Sequence, residues 1–242
     1  MKFSIRRSVH FDSFDKWLSG LEGIPIELAV PHDMQEFWSV IGSLRELAAF
    51  VRDKGLLVNS VHAPHGRLAG NAFMAWAAQV TKLADRVGAR FTVFHPEDRI
   101  VRARKPRLQA TALVNIKALQ TRSRAWVAIE TFKNKSRMFT PMEIIEHGLP
   151  MVLNTSHLSE QDALELIAQY SGNIVSVHLP ENRIDPAYGE KALSNPPVES
   201  YGIEILKVLQ DKGWDGTVTL EYLPDYHDRL IPDRQRLQEL FG

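Results

Sequence analysis

The chain has 242 residues, 44% of them hydrophobic, so it can bury one sizeable core and fits a single domain spanning 1–242. Its 29 basic and 29 acidic side chains cancel, so no overall charge attracts nucleic acid or an anionic membrane. The absence of cysteine excludes disulfides and thiolate metal sites, which leaves His, Asp, Glu and Asn as possible ligands. No segment approaches the ~18 apolar residues of a membrane span, and no signal core follows the N-terminal charges, so we expect a cytoplasmic protein without membrane contact.

Short apolar segments rich in β-branched residues alternate along the chain with longer segments of helical period. Strands are predicted at 2–8, 25–30, 56–61, 91–95, 126–130, 151–154, 174–178 and 217–221. Each segment is short, as the buried strands of a parallel barrel are. The alternation is typical of βα units and predicts the α/β class, as a (β/α)8 TIM barrel in a single domain.

The predicted helices repeat apolar residues every three or four positions, which gives each helix one stripe to pack on the barrel wall. Two such stripes are Phe37, Ile41, Leu44, Ala48, Val51 and Phe73, Trp76, Val80, Leu83, Val87. Where a helix ends before the next strand, a left-handed residue is favoured, and the glycines at these places are Gly55, Gly88, Gly148, Gly172 and Gly213. Segment 180–197 is rich in proline without clear period, so we expect a long loop there.

Side chains that bind metals or transfer protons stand at the ends of seven consecutive predicted strands. They are Glu27, His62, His95, Glu130, Asn154 with His157 just beyond it, His178 and Glu221. A single His or Glu at a strand end is usually structural. A parallel barrel, however, brings the carboxyl ends of all its strands to one face, so an unbroken series favours a functional site. Imidazole with carboxylate suits zinc, manganese, iron or cobalt better than magnesium or calcium.

Six short motifs accompany these residues. They read Val61-His62-Ala63-Pro64, Phe94-His95-Pro96, Ile129-Glu130-Thr131, Asn154-Thr155-Ser156-His157, Val177-His178-Leu179 and Leu220-Glu221-Tyr222. In this order the chain resembles the xylose isomerase-like TIM barrel superfamily, which includes endonuclease IV (AP endonuclease family 2) and many sugar phosphate isomerases and epimerases. Each motif alone is weak, but the series spans nearly the whole chain and indicates the superfamily without selecting one reaction.

The resemblance implies a central divalent metal ion with four ligands, which are Glu130, Asn154, His178 and Glu221. It also implies a second ion held, as in endonuclease IV, by His62, His95 and Glu130. The superfamily usually has Asp at position 154. Asn154 still offers a carbonyl oxygen but brings no charge, so the affinity for a divalent ion should fall.

The third ion of endonuclease IV requires an Asp-x-His sequence after the seventh strand as well as the histidine that matches His157. In this chain Asp185 is followed by Pro186 and Ala187. The third site is therefore incomplete.

Further polar residues near this face are candidates for substrate binding, namely His157, Glu27, Arg99 and Lys133. Two basic runs contribute to this set, and they are Arg99, Arg102, Arg104, Lys105, Arg107 and Lys133, Lys135, Arg137. Such side chains can hold a phosphate or carboxylate, although a solvated helix start is the alternative. Trp17, Trp38 and Trp76 fit helical stripes and are predicted to be core residues, not sugar platforms.

Three functions remain open. The resemblance favours a metal-dependent isomerase or epimerase of a small sugar, sugar phosphate or hydroxy-carbonyl compound, with Glu130 and Glu221 transferring a proton through an enediolate. The second is an endonuclease IV-like phosphodiesterase on abasic DNA, which the incomplete third site and the zero net charge disfavour. The third is a barrel that binds metal or sugar without turnover, which Asn154 allows. A small carbohydrate-like molecule is the expected partner of a monomer or homodimer.

Overall fold

The computed structural model describes residues 1–9, 11, 13–97, 100–132, 137–180, 183–185, 189–191, 201–222 and 224–242. The strands in these ranges are β1 Lys2–Ser8, β2 Pro25–Ala29, β3 Leu57–His62, β4 Phe91–Phe94, β5 Trp126–Glu130, β6 Met151–Asn154, β7 Ile174–Leu179, β8 Arg183–Asp185, β9 Gly189–Lys191 and β10 Thr217–Leu220. Eight of them close into a parallel barrel in the order β1-β10-β7-β6-β5-β4-β3-β2. The predicted (β/α)8 barrel is confirmed.

Helices follow the barrel strands on the outside. Within the described ranges they are α1 Phe14–Leu18, α2 Met34–Val40, α3 Leu44–Asp53, α4 Phe73–Val87, α5 Lys105–Gln120, α6 Pro141–Glu146, α7 Glu160–Tyr170, α8 Tyr201–Asp211 and α9 Leu230–Phe241. One turn of 3-10 helix, Ile41–Ser43, separates α2 from α3, where the sequence predicts a single stripe. In the part of the chain that the structure describes, no helix has both the length and the apolar character needed to span a membrane.

Two sequence predictions about the fold are wrong in detail. Segment 180–197 is not a plain loop, because β8 and β9 pair there as an antiparallel hairpin, although 181–182, 186–188 and 192–197 lie outside the described residues. Gly172 is not a left-handed cap, since it lies in the 3-10 turn Ser171–Asn173. At the other four predicted caps the glycine φ is positive, between 62° and 72°.

Successive side chains along each strand point to opposite sides, so the barrel wall has an outer face and an inner face. Outward side chains pack with the helices into the main hydrophobic core. A separate apolar group contains Phe91, Val93, Ala128 and Val152. Because Ala128 and Val152 precede Glu130 and Asn154 by two residues, they point to the same inner face one layer deeper. Glu130 and Asn154 therefore sit above apolar side chains, whereas Ser60 and Ser176 hold the corresponding buried positions below His62 and His178.

Candidate metal centre

Among the described residues, His62, His95 and Glu130 form the tightest group of possible ligands. The Nε2 atoms of His62 and His95 lie 3.1 Å and 2.8 Å from Glu130 Oε2. These two Nε2 atoms are 3.1 Å apart. The group consists of two imidazole nitrogens and one carboxylate oxygen converging on one point, which is the donor set of many divalent transition-metal sites.

The protonation of His62 tests whether this group fits a metal ion. Its Nδ1 lies 3.2 Å from the carbonyl oxygen of Ala63, which can only accept, so Nδ1 carries the proton. Burial and the charge of Arg6 lower the pKa of His62 well below its usual value, so the ring is neutral. Its Nε2 lone pair then faces the carboxylate of Glu130. A divalent cation between these atoms would satisfy both, and the residues fit it.

Glu130 lies at the centre of the site and is 1% exposed. Burial opposes its ionisation, but His95, His178 and His62 outweigh burial and hold the pKa of Glu130 well below its usual value. The second oxygen, Oε1, accepts from the side-chain nitrogen of Asn154 at 2.5 Å. Its burial beside three histidines suits a metal ligand better than a proton carrier.

His178 lies between three carboxylates. Its Nδ1 is 3.2 Å from Glu221 Oε2 and 3.7 Å from Glu130 Oε1, and its Nε2 is 3.3 Å from Glu27 Oε2. Burial alone would lower the pKa of His178, but Glu27 and Glu130 raise it to about 9. In the absence of a metal ion the ring is therefore a cation at neutral pH.

Glu27 is fully buried, and its Oε2 accepts from the hydroxyl of Ser60 at 2.7 Å. Burial alone would raise the pKa of Glu27, but His178, His62 and Arg6 outweigh burial and lower this pKa to about 2. No part of the Glu27 side chain reaches the surface, so its predicted contact with a substrate stays a prediction that this geometry does not support. Glu27 instead orients His178, as carboxylates commonly orient the histidines of metal sites.

Asn154 ends β6 and caps the 3-10 turn that follows it. Its Oδ1 accepts from the backbone nitrogen of Ser156 at 3.0 Å and from the Ser156 hydroxyl at 2.7 Å. Its Nδ2 donates to Glu130 and, at 3.3 Å, to Glu221 Oε2. The carbonyl oxygen that the sequence offers to a central ion is thus turned away from the glutamates, and the amide nitrogen faces them.

Arg6 in β1 is a site residue that the sequence analysis missed. Its Nη1 forms an ion pair with Glu221, and its Nη2 donates to His32 Nε2 at 2.7 Å. Arg6 is 7% exposed. The signal for it is strand alternation, because Phe3 and Ile5 pack outward in the core and Arg6 falls on the opposite face.

The site opens into a cleft of about 900 Å³ whose lining includes Arg6, Trp17, His95, His157 and Glu221. This volume suits a small ligand. His157 lies at the cleft as predicted, and its ring stacks on Phe132 with centroids 4.0 Å apart. Burial lowers the pKa of His157 to about 4, so the ring is neutral.

The tryptophans and the basic residues depart in part from expectation. Trp76 is buried as predicted, but Trp38 is 42% exposed and Trp17 lines the cleft.

The predicted basic residues Arg99 and Lys133 lie outside the described residues. In the run that follows, the described arginines Arg102, Arg104 and Arg107 are exposed. Lys105 pairs with Glu143 at 2.8 Å, which is the solvated helix start considered as the alternative.

No protein-family model matches the sequence, and the search of curated proteins finds no match either. Solved structures do match. The 3-keto-D-glucoside 4-epimerase YcjR from E. coli is 11% identical with a TM-score of 0.65, over 99% of this chain and 98% of its own. The IolI protein with a zinc atom is 14% identical with a TM-score of 0.68, over 99% and 96%. Endonuclease IV from Thermus thermophilus is 15% identical with a TM-score of 0.64, over 99% and 98%.

These neighbours cover essentially the whole barrel at very low identity. They show that the chain has the xylose isomerase-like TIM barrel fold, which confirms at the level of fold the resemblance carried by the six motifs. One neighbour is named as a 3-keto-D-glucoside 4-epimerase and another as an endonuclease, so the fold alone does not select a reaction.

Proposed function

We propose that the chain is a divalent-metal-dependent isomerase or epimerase that acts on a small sugar or a related hydroxy-carbonyl compound. One observation carries the proposal. Glu221 is a carboxylate with 26% of its side chain exposed, it lines a ligand-sized cleft, and it stands beside a buried group of ligands fit for a metal ion. The fold shared with a sugar epimerase supports the same class of reaction.

His62, His95 and Glu130 would hold the ion, which when bound supplies a Lewis acid that polarises a substrate oxygen. Glu221 takes the proton from the carbon next to the carbonyl and returns it. Arg6 pairs with Glu221 and favours the ionised carboxylate that a base requires, while the same ion pair weakens it as a base. Asn154 donates to both Glu130 and Glu221, and it thereby holds the metal ligand Glu130 and the base Glu221 at a fixed distance from each other.

The number of exposed groups that can accept or donate a proton bears on the choice between isomerisation and epimerisation. Protein groups contact both oxygens of each glutamate and both residues line the cleft, but Glu130 is 1% exposed whereas 26% of the Glu221 side chain is exposed. A single base is sufficient for an isomerisation, in which a proton leaves one carbon and returns to its neighbour. An epimerisation also needs a proton donor on the opposite face of the carbon, a role that the neutral ring of His157 does not fill.

The test is proton exchange with solvent. Metal-loaded protein is incubated with a panel of ketoses and hydroxy-ketones in deuterated water, and proton NMR follows the loss of signal from the carbon next to the carbonyl. Glu221→Gln should lower the exchange rate by roughly 10² to 10⁴ while the ion stays bound. The control is Glu46→Gln on the exposed face of α3, which should exchange like the wild type.

Exchange in Glu221→Gln at the wild-type rate would exclude Glu221 as the base. Ion binding without exchange of any compound in the panel would favour the barrel that binds a ligand without turnover.

A further inference from the structure

Arg6 and Asn154 lie beside the position where the resemblance implies a central metal ion, next to Glu130, His178 and Glu221, whose ligand atoms lie within 4.8 Å of one another. Arg6 contacts Glu221 through an ion pair, and its Nε lies 3.9 Å from Glu27 Oε1. It also donates to His32, and since a guanidinium cannot accept, His32 Nε2 is the acceptor. A guanidinium stays charged throughout the range in which proteins are folded, so Arg6 is a permanent cation inside the barrel.

The orientation of Asn154 is determined by its neighbours. Exchanging its amide oxygen and nitrogen would place the NH2 group against the backbone N–H of Ser156, and two donors would face each other. The same exchange would turn the carbonyl oxygen towards the carboxylates of Glu130 and Glu221. The Ser156 N–H therefore fixes the amide with its nitrogen inward, and an amide nitrogen does not ligate a metal ion.

The balance of charge points the same way. Among the described side chains inside the barrel, the carboxylates are those of Glu27, Glu130 and Glu221, and Arg6 supplies one positive charge. Without counting the histidines, one divalent ion brings this set to a formal charge of zero, and a proton on His178 adds one further positive charge. A second ion would leave an excess of two positive charges in a buried site, which is strongly unfavourable.

We propose that Arg6 and Asn154 together take the place of the central ion, so that the barrel binds one divalent ion, at His62, His95 and Glu130. Glu221 then remains free of metal and faces the cleft. This inference builds on the proposed metal-dependent function, because it specifies how many ions that function uses and which carboxylate is left for the substrate.

Counting ions tests the inference without any substrate. Full-length protein is stripped with a chelator, and Co²⁺ is titrated by calorimetry and by its visible absorption, which reports the ligand geometry. The wild type should bind one ion per chain. The double variant Arg6→Met with Asn154→Asp removes the cation and restores a carboxylate ligand, so it should bind two. Arg7→Met, one residue along the same strand, is the matched control and should bind one.

Each outcome separates the inference from the proposed function. Two ions in the wild type, or one ion in a folded double variant, would overturn the inference and leave the metal-dependent function standing. No ion in the wild type with one in the double variant would support the replacement of the central ion and contradict the proposed function.

Should the loss of Arg6 unfold the protein, Asn154→Asp alone decides the question. This variant is nearly isosteric, and its carboxylate can accept from Ser156 and ligate an ion at the same time. At least a tenfold gain in affinity for a second Co²⁺ supports the inference, and unchanged titration curves overturn it.

Discussion

Arg6 in β1 and Glu221, the residue that follows β10, form an ion pair at the mouth of the barrel. The two strands pair in parallel with Ile5 opposite Leu220, so the next residue on each strand lies side by side with its partner. Arg6 is almost fully buried and Glu221 is partly exposed. The register of one strand pair thus places a fixed positive charge beside Glu221, which is the most exposed carboxylate of the three formed by Glu27, Glu130 and Glu221.

The first prediction concerns the position of the metal ion. Because His62, His95 and Glu130 converge within 3.1 Å of one another, His62→Ala or His95→Ala should lower the affinity for Zn²⁺ about a hundredfold or more. Elemental analysis after gel filtration measures the loss. His147→Ala, at an exposed histidine after α6, is the control and should keep the ion.

The same measurement separates the two positions implied by the resemblance. Retention of the ion in both histidine variants, with its loss in Glu221→Gln or His178→Ala, would place the ion at the central position. That result would also contradict the role of Glu221 as an open base.

The second prediction is a fall in the stability of the metal-free protein at alkaline pH. His178 has a pKa raised to about 9 by Glu27 and Glu130 against the opposing effect of burial, compared with about 6.5 when unfolded. A raised pKa gives stability that is complete below about pH 6.5 and is lost as the pH rises through about 9. The loss is about 3 kcal/mol at most.

Urea unfolding at pH 6.5 and pH 9 in the presence of a chelator measures this loss. The variant His178→Gln should show little dependence on pH over the same window. The histidines with lowered pKa values, such as His62 and His157, act below pH 6.5 and do not disturb the comparison. Equal stability of the wild type at both pH values would mean that His178 is neutral in the folded protein.

The third prediction concerns the segment that follows His62 at the end of β3. A Cβ added at Gly66 would lie 2.4 Å from the ring of Trp76, which is 2% exposed and cannot move aside. Gly66→Ala should therefore cost about 1–3 kcal/mol of unfolding free energy. Gly42→Ala is the matched control, because nothing lies within 4 Å of its added Cβ. A Gly66→Ala variant as stable as Gly42→Ala would show that this segment and Trp76 rearrange at little cost.

Most of the barrel follows from hydrophobic period. The predicted strands 126–130 and 151–154 coincide with β5 and β6, and the other barrel strands agree to within one residue at each end. The break at Ile41–Ser43 escapes detection because one 3-10 turn barely disturbs a spacing of three and four residues. The β8–β9 hairpin escapes because strands of three residues are too short to show a period.

The candidate site follows from the sequence as a set of residues but not as a set of contacts. The carboxyl ends of all strands in a parallel barrel meet at one face, so the sequence alone predicts that His62, His95 and Glu130 lie close together. The direction of the Asn154 amide depends on the backbone of Ser156, which no pattern of residue types reveals. Arg6 is visible only in the alternation of β1, because a basic residue in a strand is ordinarily assigned to the solvent side.

The last prediction concerns DNA, the substrate of the alternative function that the resemblance to endonuclease IV offers. The exposed arginines at the start of α5 are Arg102, Arg104 and Arg107, while Lys105 is neutralised by Glu143. Three contacts to phosphates give a logarithmic salt slope of about −2.7, so duplex binding should be weak and should fall about 40-fold between 50 and 200 mM salt. Reversing the three arginines to glutamate should abolish this binding, and reversing Arg45 and Arg52 on α3 should not.

Cleavage is a separate matter, because it depends on the metal site and not on the basic run. Incising an abasic duplex in the manner of endonuclease IV requires three ions, whereas the ligands for the third are incomplete after β7 and the central position is held by Arg6 and Asn154. We therefore expect no incision of a fluorescent abasic duplex at physiological salt with Zn²⁺ or Mn²⁺, under conditions in which endonuclease IV cuts to completion. Incision by the wild type that disappears in His95→Ala would show that one ion beside a carboxylate is sufficient, and would rank phosphodiester hydrolysis above sugar isomerisation.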